Sequence, residues 1–182
     1  MEKEENSKFR EGNISLVLDS YNAIFSDFDP RSSLERGLSD DFLSECKKAV
    51  LSRKDVSELR LLMPSHLRNP NEETKIKKRL KEYFKKHFRQ KEKDLKKIKM
   101  QGIAWFILGT IVMLTDTMIY EYKFFYEYSK FLFNFLFVIL QPAGWFFFWE
   151  GLGKLFIESK KETPDYEFYK IMSDANIYFL NY

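Results

Sequence analysis

Five aspartates, Asp19, Asp27, Asp29, Asp40 and Asp41, fall close together in the sequence and are the first groups to weigh as chemistry. Gathered in space, such carboxylates would supply the oxygen ligands that Mg²⁺ or Ca²⁺ prefer. Their spacing matches no metal loop. Asp27 and Asp29 sit beside Pro30, where aspartate shapes turns, and Asp40 and Asp41 follow Ser39, where acids favour the positive end of a helix. Asp27 and Asp29 stay in view only as a weak acidic cluster. His66 and His87 are the only histidines and neither has a recognisable catalytic partner. Cys46 is the only cysteine, so it forms no disulfide within the chain and no cysteine-based metal site, and its apolar neighbours at helical spacing make it a core residue. There is no nucleophile elbow, phosphate-binding loop, dinucleotide fingerprint or zinc spacing. The residues therefore predict no enzyme and call for no cofactor.

A second group of polar residues lies where polar groups are costly. Asp116 is the sole ionisable residue in the run Gly102 to Tyr120, and Asn134 and Gln141 interrupt the uncharged run Phe131 to Trp149. Each run has nineteen residues, about the length that crosses a ~30 Å hydrocarbon core. An ionisable group inside a span marks a functional site by default. Asp116 also lies only four residues before Tyr120, about 6 Å inside the span by helical rise. A structural role follows from that depth: in an antiparallel hairpin Asn134 should reach the same level, and a hydrogen bond from Asp116 to Asn134 would fix the pair. The other reading is ion or proton handling by Asp116, with Gln141 and a kink at Pro142 lining a pathway.

These residues need elements to carry them, and the composition is divided accordingly. Charged residues make up 31% of the chain and aromatics 18%, but the two classes are segregated. Between Lys75 and Lys99 there are thirteen Lys or Arg against three acids, directly before the first apolar run. Lys154, Lys160 and Lys161 follow the second run, while the intervening turn has two Lys, so the positive-inside rule places both ends in the cytoplasm of a multi-pass cell-membrane protein. Lys91, Lys93, Lys96, Lys97 and Lys99 would meet anionic lipid headgroups. No aromatic platform is interleaved with them, which argues against nucleic acid. Trp105 and Trp149 near one side, and Tyr120, Tyr122, Tyr126 and Tyr128 near the other, suit interfacial belts.

The remaining segments read as a small soluble domain. After a polar leader (1–12) with no apolar signal sequence, alternation predicts a strand over Asn13 to Asp19, followed by a short helical turn and loop. A helix starting at Ser39 buries Phe42, Leu43, Cys46, Ala49 and Val50. A second strand covers Ser57 to Met63. Asn69, Pro70 and Glu72 then start a basic amphipathic helix over 72–100, with the stripe Ile76, Leu80, Tyr83, Phe84, His87 and Phe88, about 44 Å long. After the spans (102–120 and 131–149, joined by an external turn at 121–130), Thr163, Pro164 and Asp165 suggest a fresh helix start, and Asn176 to Tyr182 a third strand. A terminal strand needs a sheet to join. The fold class expected is therefore a transmembrane helical hairpin plus a small cytoplasmic α/β (α+β) domain of about three strands, built from the segments 13–71 and 150–182.

The stretches FSDFDPRSSLERGLSDDFLSECKKA and QPAGWFFFWEGL resemble those of a family of small prokaryotic two-span membrane proteins to which no activity is attached. The resemblance implies the same architecture and carries no functional residues. The function expected is a membrane-anchored cytoplasmic module that binds or senses a partner, either a cytosolic protein or a second copy of the chain. The alternative is an oligomeric pore or transport component using the polar residues of the hairpin.

Overall fold

The computed structural model describes residues 13–28, 30, 36–53, 56–124 and 126–182. The chain forms two compact units. One comprises residues up to Gln90 together with Asp165–Tyr182, and the other Lys91–Pro164. The polar leader and Asp29 lie outside the described residues.

The first unit is built on three parallel strands in the order β1 (Asn13–Val17), β2 (Glu58–Met63) and β3 (Asn176–Asn181). The period of two that marks them in the sequence becomes a two-faced sheet. Ile14, Leu59 and Ile177 share a row, as do Leu16, Leu61 and Phe179, and all but the half-buried Leu16 are buried. On the other face Ser15, Arg60 and Tyr178 align, with the Arg60 guanidinium 2.8 Å from Glu58. Parallel neighbours cannot be joined by a tight turn, so each connection must leave the sheet and return. The first does so through α1 (Asp40–Leu51), which buries Phe42, Cys46 and Val50. Ser39 precedes it in extended geometry, but its hydroxyl caps no amide.

The second connection is far longer. It begins in α2, a helix of 52 residues from Pro70 to Glu121, and returns in α4 (Ser159–Asp174) before β3. The start of α2 follows the sequence expectation: Pro70 occupies the first turn and the Asn69 carboxamide accepts a bond from the Asn71 amide at 3.1 Å. No break separates the predicted basic helix from the predicted span, because the sequence from Glu72 to Tyr120 contains no proline and its two glycines, Gly102 and Gly109, are accommodated in the helix. In the first unit Ile76, Leu80 and Phe84 of α2 are buried, and Phe84 meets Phe168 of α4 edge-on with ring centroids 6.2 Å apart. Lys81 donates to the Ala175 carbonyl at 2.8 Å, satisfying a carbonyl beyond the end of α4 where a cation is favoured. His87 is a packed side chain as expected: its ring stacks on Tyr169 at 5.3 Å and its Nδ1 lies 2.9 Å from the Tyr83 carbonyl.

The second unit is a pair of helices, the later part of α2 and α3 (Lys130–Leu152), with turns at 122–124 and 126–128 between them. Ser129 accepts from the Leu132 amide at 3.2 Å and so caps α3. Both helices contain windows long and apolar enough to cross a membrane. One expectation fails after α3. Thr163 and Pro164 do not begin a new helix; a π-helical segment, Gly153–Glu158, carries α3 directly into α4, with Pro164 inside it. The Thr163 hydroxyl donates to the Ser159 carbonyl at 2.8 Å, so a residue read as a cap instead bonds back into its own helix.

Candidate functional site

The helix pair is held by glycine. Gly102 and Gly109 of α2 are seven residues apart, and so are Gly144 and Gly151 of α3. A Cβ at Gly109 would lie 2.4 Å from the Phe148 nitrogen, and one at Gly151 would lie 2.5 Å from the Phe106 nitrogen. The two backbones thus touch at both places, and Phe106 and Phe148 lie alongside with centroids 4.8 Å apart. Close backbone approach through small residues is the usual way for apolar helices to associate where no hydrophobic force separates helix from surroundings.

This contact fixes the helix register, and the register corrects the expected partner of Asp116. Gly144 packs on Met113, and the Tyr120 and Phe137 rings are 5.5 Å apart. Asp116, three residues past Met113, is therefore level with Gln141, three residues before Gly144. Asn134 lies seven residues earlier in α3, about 10 Å away by helical rise. The predicted hydrogen bond between Asp116 and Asn134 is not formed. Counting inward from the ends of two apolar runs set the level wrongly; the glycine contacts, which decide it, favour a different register. Asp116 is buried, 6% exposed, and its Oδ1 has no hydrogen-bond partner among the described residues. Asn134 and Gln141 are both exposed. The three polar residues of the apolar runs are thus not gathered: one faces inward and two face outward.

The other candidates stand apart from one another. Asp27 is exposed. Among the described residues no three His, Cys, Asp or Glu side chains are placed to share a metal ion. Cys46 is fully buried, and burial pushes its thiol up to about 12, so it offers no thiolate at neutral pH. His66 is exposed after β2. Among the basic residues, Lys91 pairs with Glu162 at 2.9 Å and Lys96 with Glu92 at 3.0 Å, while Lys93, Lys97 and Lys99 are exposed.

One polar cluster was not singled out in the sequence. At the carboxyl ends of the strands, Arg68 holds Glu73 with two bonds, Nε to Oε1 at 2.8 Å and Nη2 to Oε2 at 3.0 Å, and donates to Asn181 Oδ1 at 2.6 Å. Tyr21 donates to Glu73 at 3.3 Å and accepts from the Asn69 amide at 2.7 Å. Three segments distant in sequence meet there. The available signal was Glu73 in the first turn of a helix that Arg68 just precedes, but nothing local reveals Tyr21 or Asn181.

The Arg68 bonds hold the Glu73 carboxyl below the usual carboxylate range, outweighing the opposing effect of its burial. Glu73 thus binds its proton less readily folded than unfolded, so its contribution is present at neutral pH and is lost as pH falls through and below about 4. Glu73→Gln should lower stability near pH 7 by about 2 kcal/mol, the scale of a hydrogen bond to a charged group. The deficit should shrink as the pH approaches 3. Thermal unfolding of the two proteins between pH 7 and 3 checks it: a constant difference would mean that the carboxylate's charge is irrelevant.

Scans of family models, curated proteins and solved structures return no match to this chain. Its function is therefore argued from its own residues.

Proposed function

We propose that this chain is a multi-pass membrane protein in which α2 and α3 cross the bilayer, both ends lie in the cytoplasm, and the α/β unit is an anchored module that binds or senses a partner. The supporting observation is where the apolar side chains point. Only 17% of the most apolar window of the Pro70–Glu121 helix, and 6% of that in the helix running from Lys130, is buried within the protein. A core helix of a soluble protein would be covered by its own chain. Here Ile103, Ile107, Ile111, Leu114 and Met118 of α2 are all more than 40% exposed, a continuous apolar surface that lipid would cover. The basic stretch before the first span, with Lys93, Lys97 and Lys99 exposed, favours the cytoplasmic side and anionic headgroups there. The soluble unit is read as a binding module, not an enzyme, because its candidate nucleophile is buried and its acids and histidines do not converge.

Orientation is the test. In a Cys46→Ser background, single cysteines are introduced by Glu127→Cys in the turn, Ser44→Cys in α1 and Glu167→Cys in α4, all at exposed positions. In intact cells only Glu127→Cys should react with a membrane-impermeant maleimide, and all three after lysis. Reaction of the other two in intact cells would reverse the orientation and remove the cytosolic partner. Release of the protein by alkaline carbonate would remove the spans themselves.

A further inference from the structure

The outward face of α3 carries carboxamides in an otherwise apolar stripe. Asn134, Val138, Gln141, Trp145 and Trp149 follow one another at intervals of four, three, four and four residues, which keeps them in one stripe along the helix. All five are exposed, Val138 by 67% and Trp149 by 59%. Two of the five are primary carboxamides, one heptad apart, and among the described residues no hydrogen bond is recorded for either. A backbone acceptor joins them: Pro142 has no amide proton to give the Val138 carbonyl one turn earlier. Beside the stripe runs a shallow groove of about 700 Å³ lined by Gln141, Pro142, Trp145, Phe146, Trp149 and Glu150.

An unpaired amide in hydrocarbon costs free energy of the order of a lost hydrogen bond or more. Among groups that could relieve it, a carboxamide is self-complementary, since each offers both a donor and an acceptor. Two copies of this chain inserted in the same direction and related by a two-fold axis along the bilayer normal would bring Asn134 to Asn134 and Gln141 to Gln141, each at its own depth. Both amides lie on one heptad-spaced stripe, so a single left-handed helix crossing would satisfy them together. Acyl chains offer no donor at the level of Gln141, whereas Asn134, three residues toward the turn from Phe137, lies at the outer end of the helix pair. A different protein would need amides or equivalents at two matching levels, whereas a second copy has them by identity.

We propose that the Asn134–Gln141 stripe of α3 is a homodimer interface, closed by amide pairs at two depths with Val138 and Trp145 packed between and beside them. This rests on the reading that α3 lies in a bilayer. It is independent of what the soluble unit binds.

Two measurements on the full-length protein test it. In the Cys46→Ser background, Val138→Cys should form a disulfide-linked dimer with copper phenanthroline in membranes. Ile139→Cys, also exposed but about 100° farther round the helix, should not. Photobleaching of labelled protein in liposomes at falling density should give two-step traces, with Asn134→Leu and Gln141→Leu each weakening association about tenfold. Both substitutions are on the outer surface, and far-ultraviolet circular dichroism confirms that the variants remain folded. One-step traces at every density, equal cross-linking at 138 and 139, or association only with another protein would each overturn the interface. Carbonate extraction of the same membranes is the separate control: protein that is released contradicts the spans, whereas retained but monomeric protein contradicts only the dimer.

Discussion

Gly109→Ala is expected to destabilise the helix pair by about 2–3 kcal/mol, the range for forcing a methyl group into a filled contact. Helix propensity alone predicts the opposite sign, since alanine is favoured over glycine by about 1 kcal/mol in a helix interior. The contact decides. The added Cβ would lie 2.4 Å from the Phe148 nitrogen, 2.8 Å from its Cα and 2.9 Å from the Gly144 oxygen, all backbone atoms of a helix that cannot yield locally. To make room α3 must move bodily, which also opens the matching contact at Gly151, whose own position is set by the Phe106 backbone. Gly153→Ala adds the same atom at a helical position with nothing within 4 Å, and should leave stability unchanged or raise it slightly. Thermal unfolding in detergent distinguishes them. Spin labels at Ile103 and Phe156, both exposed in the same unit, should report a longer distance in Gly109→Ala and an unchanged one in Gly153→Ala. Equal stability of the two variants would mean that the backbones do not rest on each other at Gly109.

Local pattern carried most of the elements. Alternation marked β1 because one face of the strand is buried, and the 3.6-residue spacing of Ile76, Leu80 and Phe84 marked the part of α2 that packs on the sheet. The joining of a C-terminal strand to an N-terminal sheet was legible for a negative reason: Asn176 to Tyr182 has an apolar side that needs cover, and only those strands could supply it. What the pattern could not reach was register between helices. The boundaries of the apolar runs are smooth gradients of hydropathy, so the level of Asp116 against α3 could be placed only by counting from the ends, and that count was wrong by two turns. The paired glycines hold the answer, but a glycine reads as a contact only once its opposite number is known. The Arg68–Glu73–Tyr21–Asn181 cluster escaped for the same reason, as its members come from three segments. Thr163 and Pro164 misled differently. They fit a helix start, and nothing near them announces that a π-helical segment upstream will carry the chain straight through.

Phe84→Ala should have the largest effect on the α/β unit, a loss of about 3–5 kcal/mol, the range for deleting a buried aromatic ring. Its side chain is fully buried, and its ring meets Tyr83 at 5.6 Å and Phe168 at 6.2 Å, both edge-on. The position matters as much as the ring. The unit is assembled from a long N-terminal stretch and the final eighteen residues, and Phe84 on α2 against Phe168 on α4 joins the buried cores of those segments beside the β2–β3 pairing. A domain of this size has a total stability of about 5–15 kcal/mol, so the loss takes a large share of it. The segment from α4 onward should become sensitive to protease, since Phe168 and the Ile177 and Phe179 side chains of β3 belong to the same buried cluster as Phe84. Phe28→Ala, at a residue 97% exposed, should change nothing. Membrane retention should be the same in both variants, because Phe84 lies outside the apolar runs that would carry insertion. Limited proteolysis of membrane-bound protein, with carbonate extraction alongside, reads both quantities. If Phe84→Ala released the protein from the membrane while leaving α4 and β3 protected, the anchor and the module would not be the separable parts proposed for this chain.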